Sequence, residues 1–189
     1  MKEGKILIIS APSGCGKSTI IDRLKRRGNV EFQFSVSATN RKPRPGEVDG
    51  VHYHFLSDEE FRRLIEQDAF VEYEEVYPGR FYGTLKSEVE ERCRQGHNVL
   101  LDIDVKGGVR VKRMYGDRAL SIFVEPPSID ALRCRLEGRA TDSPEEIDRR
   151  VGRAEEELTY APQYCRRVVN DDLDQAVEQT EKLIQDFTR

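Results

Sequence analysis

The hydrophobic pattern starts with four consecutive apolar residues, Ile6-Leu7-Ile8-Ile9, which read as a short buried strand. A helix over Ile20 to Arg27 follows, and Phe32-Gln33-Phe34-Ser35-Val36-Ser37 then alternates apolar and polar residues as a strand does. Val51-His52-Tyr53-His54-Phe55 alternates in the same way. Ser57-Asp58-Glu59-Glu60 is a capping box that starts a helix to about Gln67. Two short strands, Ala69 to Tyr73 and Arg80 to Gly83, flank a Pro78-Gly79 turn, and Thr84 reads as the cap of a helix closed by Gly96. The continuous run Val99-Leu100-Leu101 suits a central parallel strand buried on both faces. Beyond it the pattern predicts a helix opening at Gly107-Gly108, a buried strand at Ala119 to Val124 and a helix capped by Ser128. A break at Thr141 to Pro144, a charged helix, a strand at Arg166 to Asn170 and an amphipathic helix from Asp174 to Phe187 complete the series. Strands alternating with helices predict an α/β fold, and the strand-rich middle predicts a small mixed insert.

Composition narrows this picture. A chain of 189 residues holds one full core with insertions, and 35% charged residues against 37% apolar ones put much of it at the surface. The net charge of −4 leaves no global footprint for nucleic acid. No apolar run reaches membrane-spanning length, and no signal-peptide segment precedes Ile6. Cys15, Cys93, Cys134 and Cys165 are scattered without metal-ligand spacing, as expected for reduced thiols in a cytoplasmic protein.

The first strand runs into Ala11-Pro12-Ser13-Gly14-Cys15-Gly16-Lys17-Ser18-Thr19, which has the Walker A pattern with alanine in place of the first glycine. A strand, a small-residue loop and a helix N-terminus present a row of N–H groups and a positive helix end to phosphate. Lys17 reaches phosphate oxygens, and the Ser18 hydroxyl suits Mg²⁺. Cys15, near the helix N-terminus and Lys17, is expected to be a reactive thiol if its sulfur is exposed.

Other residues leave two readings open at this point. Arg41 and Arg44, in a loop with two prolines and a glycine, suit either a second anion or a solvated turn. His52 and His54 read as a solvent-facing pair without a third metal ligand. Glu72 is a carboxylate among apolar strand residues, either an exposed strand glutamate or a ligand-binding one. Asp102 and Asp104 end the central strand on one face, in a Walker B-like position, although Asp104 also suits a helix cap. Arginines at 133, 135, 139, 149, 150 and 153 flank the Thr141 to Pro144 break and read as a lid or as solvated helix faces.

Taken together, the chain resembles a guanylate kinase over essentially its full length, most specifically in Thr39-x-Arg41-x-x-Arg44-x-x-Glu47-x-x-Gly50-x-x-Tyr53-x-Phe55. Asn40 stands where that pattern usually has Thr or Ser. The resemblance implies a P-loop three-layer sandwich with a central parallel sheet, a mixed α/β GMP-binding insert and a helical lid. The implied segments are 1–36, 85–126 and 151–189 as core, 37–84 as the insert and 127–150 as the lid with its flanking helix.

The implied activity is transfer of the γ-phosphoryl group of ATP to GMP, with Mg²⁺. ATP would be held by residues 11–19 with Arg135, Arg139 and Asn170, and the metal by Ser18. GMP would be held by Ser37, Arg41, Arg44, Glu47, Tyr53, Glu72, Tyr82, Gly83, Thr84 and Asp102. Lys17, Arg41, Arg44, Asp102, Arg139 and Arg150 would serve catalysis. dGMP is a further candidate acceptor, and no nucleic-acid or membrane partner is expected. Ribose 1,5-bisphosphate kinases and phosphopeptide-binding modules on the same scaffold are the rival readings.

Overall fold

The structure, a computed structural model, describes residues 2–138 and 143–189. Nine strands and seven helices are assigned among them. A five-stranded parallel sheet has the order β2-β7-β1-β8-β9, and a four-stranded sheet has the order β4-β3-β6-β5. The chain divides into two compact units, Ile6–Glu31 with Leu101–Arg189, and Phe32–Leu100 with the segment ahead of Ile6. The second is wider than the insert expected over 37–84.

In the larger unit, β1 (Ile6–Ser10) is buried at every position and pairs in parallel with β8 (Ala119–Glu125), which pairs with β9 (Arg166–Val169). Strands covered on both faces need the largely apolar runs that β1 and β8 carry, whereas β9, at the sheet edge, buries only Val168. Helix α1 (Lys17–Arg27) starts at Gly16, whose φ of 87° only glycine adopts without strain, and stops at Gly28 in the left-handed conformation. Helix α4 (Val105–Tyr115) packs on β1 and β8, and α7 (Leu173–Thr188) packs on β8, β9 and α1. Helices α5 (Ile129–Glu137) and α6 (Pro144–Leu158) pack on each other and share an Arg133–Asp148 ion pair of 2.6 Å.

The smaller unit contains β2 (Gln33–Phe34), β3 (Ala38–Thr39), β4 (His54–Phe55), α2 (Asp58–Glu66), β5 (Phe70–Tyr77), β6 (Arg80–Leu85) and α3 (Lys86–Arg94). Its core is an aromatic stack in which Phe61 lies 4.5 Å from Phe70 and 5.5 Å from Phe81 between ring centroids. Ser57 and Glu60 form the capping box read from the sequence. The strand expected over 32–37 is only two residues long, and that over 51–55 is reduced to His54–Phe55. Backbone N–H groups of Val51 and His52 bond instead to the Val48 carbonyl, closing a turn. Thr84 does not cap α3, whose N-cap is Leu85 without a side-chain bond; it lies inside β6.

Candidate functional site

The larger unit presents the phosphate loop. Gly14 at φ 90° and Gly16 at φ 87° turn the backbone between β1 and α1. A side chain at Gly16 would also meet the Asn170 amide nitrogen at 2.4 Å, and one at Gly14 would meet Leu136 at 2.9 Å. Steric space and backbone angle therefore demand glycine twice over at both positions. The loop lines a cleft of about 570 Å³ together with Asp102, Ile103, Asp104, Arg153 and Glu157.

Lys17 Nζ lies 2.7 Å from Asp102 Oδ1 and donates to the Ile103 carbonyl at 3.2 Å. The ammonium is thereby held at the mouth of the loop by the strand β7 (Val99–Asp102) and the residue after it. Ser18 and Thr19 are exposed on the first turn of α1. Asp104, expected beside Asp102 on one strand face, lies beyond the end of β7. Its carboxylate accepts from the N–H groups of Lys106 and Gly107, so it caps α4.

Asn170 is buried and donates to the Cys15 carbonyl at 2.8 Å, tying the end of β9 to the loop. Arg135 lines a second cleft, of about 350 Å³, with Gly14, Gly16, Thr19 and Asn170, and donates to the Asp171 carbonyl at 3.3 Å. Arg150 faces Glu146 at 3.5 Å. Arg139 lies outside the described residues.

Cys15 does not meet the condition of exposure on which its reactivity depends. Its side chain is 1% exposed, and burial pushes the thiol up to about 12, against the lowering influence of the Arg135 charge. Loss of hydration outweighs the nearby cation and the helix terminus, so the protonated thiol is favoured at neutral pH.

The smaller unit carries the arginine loop, which is held together by side chains. Arg41 makes a two-pronged pair with Glu47, NH1 to Oε2 at 2.7 Å and NH2 to Oε1 at 2.9 Å. The Arg44 N–H adds a bond of 2.6 Å to Glu47 Oε2. The Arg41 guanidinium holds the Glu47 carboxyl well down, to about 2, and Glu47 in turn holds Arg41 firmly protonated. The guanidinium also lies 5.2 Å from the Tyr53 ring centre and 5.6 Å from that of Phe55, with the Tyr82 phenol bonded to it. Arg41 Nε remains buried without a hydrogen-bond acceptor among the described residues. The Arg44 side chain is exposed.

Glu72 and Thr84 face each other directly across β5 and β6, beside a register shift between Phe70 and Glu72. The Thr84 hydroxyl donates to Glu72 Oε1 at 2.7 Å, while Glu72 stays half-buried and Thr84 is buried. Gly83 lies so close to its neighbours that a side chain there would meet Phe70 at 2.8 Å. Ser37 is half-buried and its carbonyl accepts from the His54 N–H. The two histidines do separate jobs: His52 accepts from the Val48 N–H, and His54 faces Glu88 at 3.6 Å.

Several contributors carried no local sequence signal. Asn40 bonds through both ends of its amide to Asp58, to the Gly79 carbonyl and to the Phe81 N–H, locking the β5–β6 turn to the start of the arginine loop. Tyr164 donates to the Val105 carbonyl at 2.9 Å and bonds Ser10, bracing the start of α4. Burial pushes its phenol up to about 12. A side chain at Gly108 would meet the Tyr164 oxygen at 2.1 Å, which explains a glycine inside that helix. No group of three or more His, Cys, Asp or Glu able to hold a metal occurs among the described residues, and no described helix is long and apolar enough to cross a membrane.

A strand–loop–helix phosphate cradle on a parallel sheet, with a lysine at its mouth, defines a P-loop nucleotide-binding protein. The family model described as guanylate kinase matches residues 3–187. Guanylate kinase of Bacteroides thetaiotaomicron is 56% identical over 97% of this chain and 90% of its own length. That of Porphyromonas gingivalis is 55% identical over 97% of each, and that of Salinibacter ruber 54% over 99% and 98%. The crystal structure of guanylate kinase from Anaplasma phagocytophilum superposes with a TM-score of 0.69 at 30% identity, covering 98% of this chain and 87% of that one. The chain belongs to the guanylate kinase family, and is an ATP:GMP phosphotransferase.

Proposed function

We propose that the phosphate loop takes ATP and that the smaller unit takes GMP, with the residues described above dividing the work. Loop N–H groups and Lys17 hold the β and γ phosphates. Lys17 exchanges Asp102 for phosphate as ATP enters, because both compete for one ammonium. Arg41 and Arg44, with Tyr53 and Tyr82, take the GMP phosphate, Arg44 through a side chain that is exposed to solvent. Glu47 is already committed to Arg41, so it positions the guanidinium instead of touching the nucleotide. Asn170 acts on the loop through the Cys15 carbonyl in the same indirect way.

Glu72 carries the acceptor assignment. Guanine offers two adjacent donors, N1–H and the 2-amino group, to one carboxylate, and adenine offers neither. The Thr84 hydroxyl fixes one carboxylate oxygen and leaves the carboxylate oriented across the strand pair. Ser37 and Gly83 complete the base site, Gly83 by keeping the strand surface low.

The donor set fits Mg²⁺, since the exposed Ser18 hydroxyl and the Asp102 carboxylate are hard oxygens lining one cleft. Bound with ATP, the ion neutralises charge on the transferring phosphates. Arg150 and Arg139 serve the charge developing in flight, and exclusion of water leaves GMP as the acceptor. The cytoplasm is the compartment of this reading, supported by four cysteines that are all free thiols, and dGMP is its further acceptor.

A coupled assay of ADP formation with GMP, AMP and ribose 1,5-bisphosphate tests this reading. GMP is expected to exceed AMP by about 10⁴-fold in kcat/KM, the discrimination reached when a site's buried hydrogen-bonding groups are left unpaired by the wrong substrate. Equal turnover of AMP, or preference for the sugar bisphosphate, would contradict it.

A further inference from the structure

We infer that Arg153, which no motif or resemblance assigns, is a phosphate ligand of the ATP bound on the phosphate loop. The inference rests on the reading that ATP occupies that loop. Helix α6 carries Arg150 and Arg153 three residues apart, hence on one face. Of these two, it is Arg153 that lines the cleft with Ser13, Lys17 and Asp102.

The guanidinium is anchored in a way that prepares it for an anion. Its Nε donates to Glu157 Oε1 at 2.9 Å, one helical turn on. That bond fixes the inner edge of the planar group, and its terminal nitrogens have no partner among the described residues. The side chain is 62% exposed and lines the cleft, so its fork is open to a ligand there. Terminal N–H pairs of this kind match two phosphate oxygens at once.

Glu157 gives the second observation. Its side chain is 13% exposed, and its other oxygen is buried without a hydrogen-bond partner. A carboxylate in the wall of a polyphosphate cleft repels the ligand unless its charge is committed elsewhere. Arg153 is that commitment. The pair is close to neutral, so the gain on binding comes from the fork's directed bonds and only weakly from net charge.

This balance sets the size of the effect and distinguishes arginine from lysine. Exposure to solvent and the neighbouring carboxylate reduce the gain to the low end for bonds to charged groups, about tenfold in affinity. A lysine ammonium cannot both stay on Glu157 and present a separate fork, so charge alone does not replace Arg153.

Calorimetric titration of wild type, Arg153→Gln and Arg153→Lys with a non-hydrolysable ATP analogue and Mg²⁺, and separately with GMP, tests the assignment. Both variants should bind the analogue about tenfold more weakly, bind GMP within about twofold of wild type and melt at the wild-type temperature. An analogue affinity unchanged in Arg153→Gln, or lost in equal measure for GMP, would overturn it. Full affinity in Arg153→Lys would show that charge suffices and would overturn the fork. If wild type itself failed to take up the analogue, the ATP reading would fall first, a result distinct from a binding wild type matched by its variants.

Discussion

The phosphate loop and the arginine loop, to which the proposed function gives ATP and GMP, are built from different parts. The phosphate loop is made of backbone, with its N–H groups aimed by two positive-φ glycines and a helix start, and only Lys17 adds a mobile charge. The arginine loop is made of side chains held by other side chains: Arg41 is gripped by Glu47, flanked by Tyr53 and Phe55, and bonded by Tyr82. A backbone cradle fails where a glycine is lost or where its single charged side chain, Lys17, is removed. A side-chain cradle loses function one partner at a time, and its strength depends on the protonation of those partners.

The largest expected effect falls on the one side chain that completes the backbone cradle. Lys17→Ala should lower kcat by about 10³-fold, as for removal of other groups that stabilise transition-state charge. The melting temperature of the free protein should stay put, because Lys17 contacts Asp102 at a partly exposed site and fills no core. A variant keeping a tenth of wild-type kcat would show that the loop amides suffice.

Next comes the base site of the smaller unit. Glu72→Gln should lower kcat/KM for GMP by about 10²-fold while AMP stays a poor acceptor, since the amide accepts one of guanine's two bonds and presents a donor to the other. Thr84→Val should cost less, about tenfold, because it removes a neutral hydroxyl from an otherwise intact carboxylate. Steady-state rates with both nucleotides decide between this and a purely structural glutamate, which would leave GMP kinetics unchanged.

A smaller effect probes how the side-chain cradle is held. Glu47→Gln should raise KM for GMP by about tenfold and leave that for ATP unchanged. The Glu47 carboxyl is depressed on folding from an ordinary value of 4.5 to about 2, so its contribution to stability is complete above pH 4.5 and fades as pH falls toward 2. Urea midpoints of wild type and Glu47→Gln should therefore converge over that window and differ at neutral pH. A constant difference across it would mean that the carboxylate is not paired in solution.

The smallest effect concerns Cys15. Iodoacetamide at neutral pH should label the exposed Cys134 and spare Cys15, with activity retained, as read by peptide mass spectrometry. Rapid modification of Cys15 would mean that the loop opens around it.

What could be read in advance follows from the same contrast. The phosphate loop is contiguous in sequence, so Ile6 to Thr19 disclosed strand, turn and helix start together. The arginine loop was nearly as legible, but the grip of Glu47 on Arg41 was not, because a spacing of six residues in a loop fixes no geometry. Thr84 reads as a helix cap because capping is a local signal, but it lies inside β6. Its partnership with Glu72 depends on antiparallel register and a bulge across β5 and β6. Cys15 shows the opposite limit: its neighbours along the chain favour a thiolate if the sulfur is exposed, and whether it is exposed is a property of packing. Asn170 and Tyr164 reach the loop and α4 from far along the chain, where no spacing rule applies.

The division of labour between the two cradles is tested most directly by calorimetry on two variants, Lys17→Ala and Arg41→Ala, each titrated with a non-hydrolysable ATP analogue and with GMP. Lys17→Ala should bind GMP as wild type does and lose affinity for the analogue, and Arg41→Ala should do the reverse. Loss of both ligands in either variant, with its melting temperature unchanged, would contradict the account.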